Sequence, residues 1–226
     1  QSSAVNLYFF QAPILAITED QLAFMTLTAS GPELELRSID SNGNTSSGSR
    51  IHLSDKGLLQ AHSPSFSPDG KKLVFIGVNS KGWQNLYILE DQKKIRQLTH
   101  GHSSWRNPTW TKKGILVSSD QIPGVEIYGL FLVDPKSGNS KLLIQPDLGH
   151  DNFLEASSHD PSQEIYFRST NGSGQQIYRW TKSNGILPVS TVKTQLLQPT
   201  LVENDTATRI YALGLEKGKY HLISLP

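Results

Sequence analysis

The stretch that decides the fold is Pro-Ser-Phe-Ser-Pro-Asp-Gly-Lys-Lys-Leu-Val-Phe, residues 64–75. An apolar strand end leads into a turn, and a second apolar strand follows. The turn chemistry is local: Pro68 fixes its own φ, Asp69 can accept hydrogen bonds from its own turn, and Gly70 tolerates positive φ. The stretch therefore predicts two antiparallel strands. Two more strand-like runs of the same unit are residues 85–89 and 95–99.

This unit of four short strands recurs along the chain. The first strands of successive copies are predicted to begin at positions 13, 64, 108, 155 and 199, a spacing of 44 to 51 residues. A β-propeller blade has a period of roughly 40–50 residues, and no stretch of helix length shows 3.6-residue periodicity. We predict an all-β fold, a β-propeller of about five four-stranded blades in one domain over residues 1–226. The predicted blades are residues 13–53, 64–99, 108–144, 155–190 and 199–225.

The last copy lacks a fourth strand, and residues 4–10 can supply it. They read Ala-Val-Asn-Leu-Tyr-Phe-Phe, a strand-like run that has no partner in its own copy. Pairing the two chain ends would close the ring and cover sheet edges that otherwise invite aggregation. We therefore predict that residues 4–10 form the closing strand.

Composition excludes several classes of protein. The chain has 21 Lys+Arg against 20 Asp+Glu, so its net charge of +1 does not favour a nucleic-acid partner. With no cysteine it has no disulfide, no thiolate zinc site and no thiol nucleophile. Its longest apolar runs are far below the roughly 20 residues that span a bilayer, so no transmembrane segment is predicted. The chain starts at Gln1 rather than Met, which leaves room for an upstream signal peptide or lipid-anchor cysteine.

Residues 66–75 resemble the TolB-like, WD-related β-propeller repeat, whose hallmark is a Ser-Pro-Asp-Gly turn between the first two strands. Residues 85–88 and 96–99 are similar to the third and fourth strands of that repeat. By period the resemblance covers the whole chain, and by motif it covers one blade. It implies a propeller, commonly of six or seven blades, from which five would depart. It also implies a periplasmic protein whose ring face and channel bind protein partners, or a non-catalytic domain of a peptidase.

The loops that lead into the first strands are the predicted binding site, since in a propeller they reach the mouth of the channel. Four of the seven histidines fall in them, at positions 62, 100, 102 and 150. We predict that the histidines and Arg106 contact an acidic or hydroxylated ligand, and that Trp105 offers a flat face. The alternative is that these histidines are solvated or cap turns. The predicted binding residues are His62, His102, Trp105, Arg106, Asn107, His150, Asp151 and Asn152.

The tryptophans and the histidines raise two further possibilities, an aromatic contact and a metal site. Trp110 and Trp180 fall in strand patterns and are interpreted as blade packing. Trp83 and Trp105 are predicted in loops, and Trp105 is preferred as the binding residue because its loop points at the mouth. A zinc site from His62, His102 and His150 is conceivable, but the His-Gly-His pair lacks a recognised ligand spacing. No metal and no cofactor is therefore predicted.

Catalysis is the less favoured interpretation. The chain has no Gly-x-Ser-x-Gly, no His-Glu-x-x-His and no phosphate loop. The acids near the entry loops, Asp151 and Glu155, belong to one blade, whereas glycosidase propellers draw their carboxylates from separate blades. Asp69, Asp160 and Asp205 are interpreted as turn caps.

The sequence thus predicts a non-catalytic protein-interaction or ligand-binding propeller of the bacterial cell envelope. We expect it to be periplasmic or otherwise extracytoplasmic, with lipid anchoring through an upstream residue left open. Its expected partner is a protein at the channel mouth. The alternative is a glycan-binding or glycoside-processing five-bladed propeller, motivated by Trp105, Asp151 and Glu155.

Overall fold

A computed structural model of the chain describes residues 15–46, 48–91, 94–122, 124, 127–146, 152–170, 174–189, 195–204 and 207–225. The chain divides into two compact units, residues 1–110 and 111–226, and each is described by itself. Regular structure in the described ranges consists of antiparallel β-strands and one short 3-10 turn, Ser54–Lys56.

The first unit contains two four-stranded sheets, each an antiparallel meander in chain order. The strands of the first sheet are β1 (Leu15–Ile17), β2 (Gln21–Thr28), β3 (Gly31–Ser38) and β4 (Ser49–His52). The strands of the second sheet are β5 (Leu58–Phe66), β6 (Leu73–Asn79), β7 (Gln84–Asp91) and β8 (Lys94–Gln97).

Three more sheets follow along the chain. The third has the order β12-β11-β10-β9, the fourth β13-β14-β15-β16 and the fifth β17-β18-β19. The strands of the third are β9 (Trp105–Thr111), β10 (Gly114–Ser119), β11 (Gly129–Val133) and β12 (Ser140–Ile144). Those of the fourth are β13 (Leu154–Ser157), β14 (Glu164–Thr170), β15 (Gln175–Thr181) and β16 (Gly185–Pro188). Those of the fifth are β17 (Gln195–Asn204), β18 (Ala207–Glu216) and β19 (Lys219–Leu225).

These five sheets are the blades of a β-propeller fold, and the predicted fold class is confirmed. The fifth sheet has three strands in the described part of the chain, as the truncated last copy predicted. Residues 4–10 lie outside the described residues, so the closing strand stays a prediction. The single domain over residues 1–226 stays a prediction as well.

The core of each unit lies between neighbouring sheets. In the first unit, Leu34 of β3 is fully buried in a cluster with Leu73 and Phe75 of β6. In the second unit, Phe153 and Phe167 pack with ring centroids 4.5 Å apart, in a cluster that also includes Leu130 of β11. In β6, the consecutive residues Leu73, Val74, Phe75 and Ile76 are all buried, so this strand is apolar on both faces. Their burial removes apolar surface from water.

The turn between β5 and β6 forms as its sequence predicts. The Gly70 N–H donates to the Ser67 carbonyl at 2.8 Å, and Gly70 has a φ of 69°. Asp69 accepts from the Ser67 hydroxyl at 2.6 Å and from the Lys71 N–H at 3.2 Å, and these bonds lower the pKa of Asp69. Asp160 accepts from Ser162 in the same way. The interpretation as turn caps is confirmed for both residues, while position 205 lies outside the described residues.

A non-glycine residue with positive φ recurs in the first strand of four sheets, and in three of these strands it marks a β-bulge. In those three strands the pairing register shifts around it. The bulge leaves one residue without a ladder partner and re-aims the side chains on either side of it. The positive-φ residues are Ser63 (53°), Asn107 (51°), Glu155 (52°) and Gln198 (51°).

Serine side chains link the first strands of neighbouring sheets within each unit. In the first unit, the Trp110 N–H donates to the Ser65 hydroxyl at 3.0 Å. In the second unit, the Leu201 N–H donates to the Ser157 hydroxyl at 3.4 Å. Both serines lie two residues after a positive-φ residue, and both donors lie three residues after one. The repeat therefore supplies side-chain acceptors for inner-edge N–H groups that no strand covers.

Candidate interaction site

Four of the predicted binding residues lie in strands rather than in loops. His62 lies in β5, and Trp105, Arg106 and Asn107 begin β9. The prediction that they belong to entry loops is wrong, because β5 and β9 begin upstream of Pro64 and Pro108, the predicted starts of these strands. The neighbouring positive-φ residues interrupt the period-2 alternation, so the upstream part of each strand has the pattern of a loop.

Trp105 is a core residue. Its exposure is 2%, and it is one of the largest side chains of the described chain that are almost fully buried. The prediction that it offers an exposed flat face to a ligand is wrong. Its side chain is thus buried at the first residue of β9.

His62 is also buried, with 5% of its surface exposed. Its Nδ1 lies 3.0 Å from the Ser63 hydroxyl oxygen. Burial, and then the positive charge of Arg106, lower the pKa of His62 from 6.5 to about 4. The ring is therefore neutral at pH 7, and the contact with Ser63 is one between neutral groups. Arg106 itself is partly exposed.

An aromatic and cationic cluster forms at the end of the second sheet where β5 begins. The rings of Trp83 and His102 meet edge to face with centroids 4.0 Å apart, and the Lys81 ammonium lies 4.7 Å from the Trp83 ring centroid. Trp83 is partly exposed, whereas Lys81 and His102 are exposed. We call Lys81, Trp83 and His102 the Trp83 cluster. An indole face next to an ammonium group and an imidazole combines a stacking surface with hydrogen-bond donors.

Two buried polar residues hold the loop that carries His102. The Thr99 hydroxyl accepts from the Leu86 N–H at 2.9 Å and donates to the Asn85 amide oxygen at 3.2 Å. The Asn85 amide nitrogen in turn donates to the Gly101 carbonyl at 3.4 Å. Asn85 and Thr99 are 1% and 4% exposed, so these bonds are shielded from water. They fix the loop against β7 and place His102 beside the turn that carries Trp83.

The charge around this cluster is one-sided. Residues 79–89 and 97–111 contain no Asp or Glu, while Lys81, Arg106 and two histidines fall within them. The chain as a whole is nearly neutral, so this is a local imbalance. Such a surface attracts a carboxylate or a hydroxyl-rich group and repels a cation.

The strand register contains a signal for Trp83, although Trp83 does not lie in a loop that leads into a first strand. Leu58 pairs with Asn79, so the β6–β7 turn lies at the same end of the sheet as the start of β5. The loop after β8 returns to that end as well. The β6–β7 turn therefore brings Trp83 next to His102.

The predicted binding residues of the second unit are only partly described. Asn152 accepts from the Tyr128 N–H at 2.8 Å through its amide oxygen, and the Phe153 N–H donates to the Tyr128 carbonyl at 2.8 Å. Asn152 therefore bridges backbone segments. His150 and Asp151 lie outside the described residues.

Glu155, the other acidic candidate, is held in a structural ion pair. Its carboxylate accepts from Arg168 at 2.8 and 3.2 Å, and the two side chains are 11% and 13% exposed. The same carboxylate accepts from the Gln198 N–H at 2.8 Å. Glu155 thus ties β13 to β14 and to the bulge of β17. These bonds occupy the lone pairs that a general base or a nucleophile would use.

Metal-binding groups and membrane-spanning helices are both absent from the described ranges. These ranges contain no group of three or more His, Asp or Glu side chains placed to hold a metal ion. They also contain no helix with the length and apolar character needed to cross a membrane.

By sequence, no protein-family model and no curated protein matches the chain. Solved structures with the same fold do match it. TolB from Acinetobacter baumannii is 18% identical with a TM-score of 0.56, over 92% of this chain and 51% of that one. A puromycin hydrolase is 14% identical with a TM-score of 0.63, over 93% and 35%. An oligogalacturonate lyase in complex with manganese is 14% identical with a TM-score of 0.58, over 91% and 62%.

These likenesses establish a TolB-like β-propeller fold. The chain spans about half of the TolB chain and about a third of the hydrolase. Two of these three structures are enzymes, so the fold alone does not determine whether a protein is catalytic.

Proposed function

We propose that the protein is a non-catalytic interaction module of the bacterial cell envelope, which binds a protein partner at the Trp83 cluster. The partner presents an acidic or hydroxylated group. The observation that carries this proposal is the pairing of Trp83 with His102 and Lys81, on two segments, residues 79–89 and 97–111, that contain no Asp or Glu.

The chemistry of the cluster supports the proposal. Aromatic and cationic side chains are the residue types that most often anchor a protein interface. Trp83 takes the role of flat contact face that the sequence assigned to Trp105, while His102 and Arg106 keep their predicted roles as donors. His150 and Asp151 remain predicted contacts.

The proposed non-catalytic role is supported by the bonds that the Glu155 carboxylate accepts. Glu155 is committed to Arg168 and to the Gln198 backbone, so it is not available as an acid or a base. An extracytoplasmic location is supported by the fold likeness to TolB, whose family resemblance implies the periplasm.

The test is capture of partners from a bacterial envelope extract by immobilised protein, with quantification of each captured protein. We expect Trp83→Ala and Lys81→Glu to reduce capture of the native partner at least about tenfold, as loss of an interface anchor does. Tyr220→Ala is the matched control, because Tyr220 is a 63% exposed aromatic residue outside the cluster. A partner captured equally by all four proteins would contradict the proposal.

A glycan ligand is the second candidate, favoured by the same exposed indole face and by the oligogalacturonate lyase among the fold neighbours. An acidic sugar carries both the carboxylate and the hydroxyl groups that the cluster suits. A glycan array probed with wild type and Trp83→Ala separates the candidates. Reproducible binding that the variant loses, without protein capture, would favour the glycan.

A further inference from the structure

The Trp83 cluster contains a histidine, the side chain whose charge changes between about pH 5 and 8. His102 is exposed, and its ring meets the Trp83 ring edge to face with centroids 4.0 Å apart. The Lys81 ammonium lies 4.7 Å from the centroid of the same indole ring. Protonation of His102 therefore brings a second positive charge to the indole that Lys81 already contacts.

Protonation also changes the hydrogen bonds that the cluster offers to a partner. A neutral imidazole has one N–H donor and one acceptor nitrogen, whereas a protonated imidazole has two N–H donors and a positive charge. A hydroxyl group pairs with either form, because it both donates and accepts. An ionised carboxylate only accepts, so it gains a donor and an attractive charge when His102 is protonated. The protonated cluster therefore selects an acidic group over a hydroxylated one.

Positive groups outnumber negative groups on the segments around His102. Residues 79–89 and 97–111 contain no Asp or Glu. The 3-10 turn that precedes β5 lies at the same end of the sheet, because the start of β5 pairs with the end of β6. It contributes one acid and one base, whose charges offset each other. Apart from His102, the exposed or partly exposed charged and titratable side chains of these segments are Asp55, Lys56, Lys81, His100 and Arg106.

Two titratable side chains of the same region are buried and stay neutral. Burial, and then the charge of Arg106, lower the pKa of His62 to about 4. Burial raises the pKa of Tyr87. Neither side chain changes its charge to a large extent between pH 8 and 5.5, so a pH effect at the cluster over this range does not come from them.

We infer that the Trp83 cluster binds an acidic group of its partner, and that protonation of His102 strengthens this binding as the pH falls. The inference rests on the proposed function, since it concerns the same cluster. The carboxylate accepts from the protonated imidazole and is attracted by the Lys81 ammonium. The coupling is reciprocal, because a bound carboxylate also favours the protonated form of His102.

The first measurement tests the contact between Trp83 and His102 without a ligand. The indole N–H signals of 15N-labelled full-length protein are followed from pH 8 to 5.5, and Trp83→Phe assigns the Trp83 signal. We expect this signal to shift in wild type and to shift much less in His102→Gln. The matched control is His221→Gln, which removes an exposed histidine of β19 and should keep the wild-type shift. A Trp83 signal that does not move in wild type would overturn the inference.

The second measurement titrates the acidic peptide acetyl-Gly-Asp-Gly-Asp-Gly-amide at both pH values, followed by the backbone amide shifts of residues 79–85 and 98–104. Aspartate remains ionised at pH 5.5. We expect wild type to bind at least about threefold more tightly at pH 5.5 than at pH 8, the effect of one added charge at contact distance. His102→Gln should lose most of this difference, His221→Gln should keep it, and the Gly-Asn-Gly-Asn-Gly analogue should show none.

Three results of the peptide titration would overturn the inference. They are no binding at either pH, equal binding at the two pH values, and a pH effect that is as large in His102→Gln as in wild type.

Capture of the native envelope partner at the same two pH values separates this inference from the proposed function. Capture that Trp83→Ala reduces, but that is equal at both pH values, would leave the proposed function intact and overturn the inference. Capture that does not depend on Trp83 would contradict the proposed function. Peptide binding that tightens at pH 5.5 through His102 would in that case still support an acid-binding cluster.

Discussion

His62 is buried next to the positive charge of Arg106, and both features oppose protonation of its ring. The pKa of His62 is lowered from 6.5 to about 4, so the unfolded chain takes up this proton at higher pH than the folded chain. The stability that His62 contributes is therefore complete above pH 6.5 and is lost as the pH falls towards 4. The loss amounts to about 3 kcal/mol.

Two measurements check this prediction. An NMR titration of the His62 ring should have its midpoint near pH 4. Urea unfolding between pH 7 and 4.5 should show a smaller decrease of the unfolding free energy for His62→Gln than for wild type. A midpoint near 6.5 would contradict the burial of this residue.

The two tryptophans that the sequence predicts in loops, Trp83 and Trp105, differ in burial. Trp105→Ala removes a side chain that is 2% exposed and leaves a cavity, so we expect a loss of about 3–5 kcal/mol in the free energy of unfolding. Trp83→Ala removes a partly exposed side chain and should cost about 1 kcal/mol or less. Urea unfolding of both variants measures this contrast. Equal losses would mean that Trp83 is a packing residue and not a contact face.

Glu155 offers a direct comparison of buried and exposed ion pairs. Glu155→Gln leaves Arg168 buried without its carboxylate, and we expect a loss of about 3 kcal/mol in the free energy of unfolding. Glu164→Gln breaks the more exposed pair with Arg179 and should cost less than about 1 kcal/mol. Chemical denaturation measures both. A Glu155→Gln variant as stable as wild type would contradict the structural role that we assign to the Glu155 carboxylate.

At the level of the strand, the positive-φ residues of the first strands separate the parts that the sequence predicts from the parts that it misses. Residues 64–99 are assigned to strands and turns with little error, because alternation and turn chemistry are local. The part of β5 before Ser63 and the part of β9 before Asn107 are missed, because a positive-φ residue reverses the order of inward and outward side chains.

The closing strand is the element that the described residues leave untested. In them, β19 pairs only with β18. If residues 4–10 add to this sheet, three apolar side chains become buried, each contributing on the order of 1.5–3 kcal/mol. Deletion of residues 1–10 should then lower the Tm by at least about 10 °C.

Deletion of residues 1–3 is the matched control, because it leaves the predicted strand whole. Differential scanning calorimetry of the two truncated proteins decides the matter. If both melt as the full chain does, residues 4–10 do not close the fold.

For the whole molecule, the repeat period predicts the five sheets. The proposed interaction site can be predicted from the sequence only in part. The spacing between the repeat copies is kept even where the residues differ from copy to copy. The Trp83 cluster depends on which turns meet at one end of a sheet, and this requires strand register as well as strand order. The concentration of histidines in the sequence identifies His102 as a candidate. The position of Trp83 next to it becomes evident only from the Leu58–Asn79 strand pairing.

The position at which the partner binds tests the proposed interaction site most directly. Deuterium exchange of the protein, with and without its captured envelope partner, measures this directly for every described backbone amide. We expect protection on binding to concentrate in residues 79–85 and 98–104, around Trp83 and His102. Protection that is absent there and appears instead on the outer strands or in the second unit would contradict the assignment of the Trp83 cluster as the interaction site.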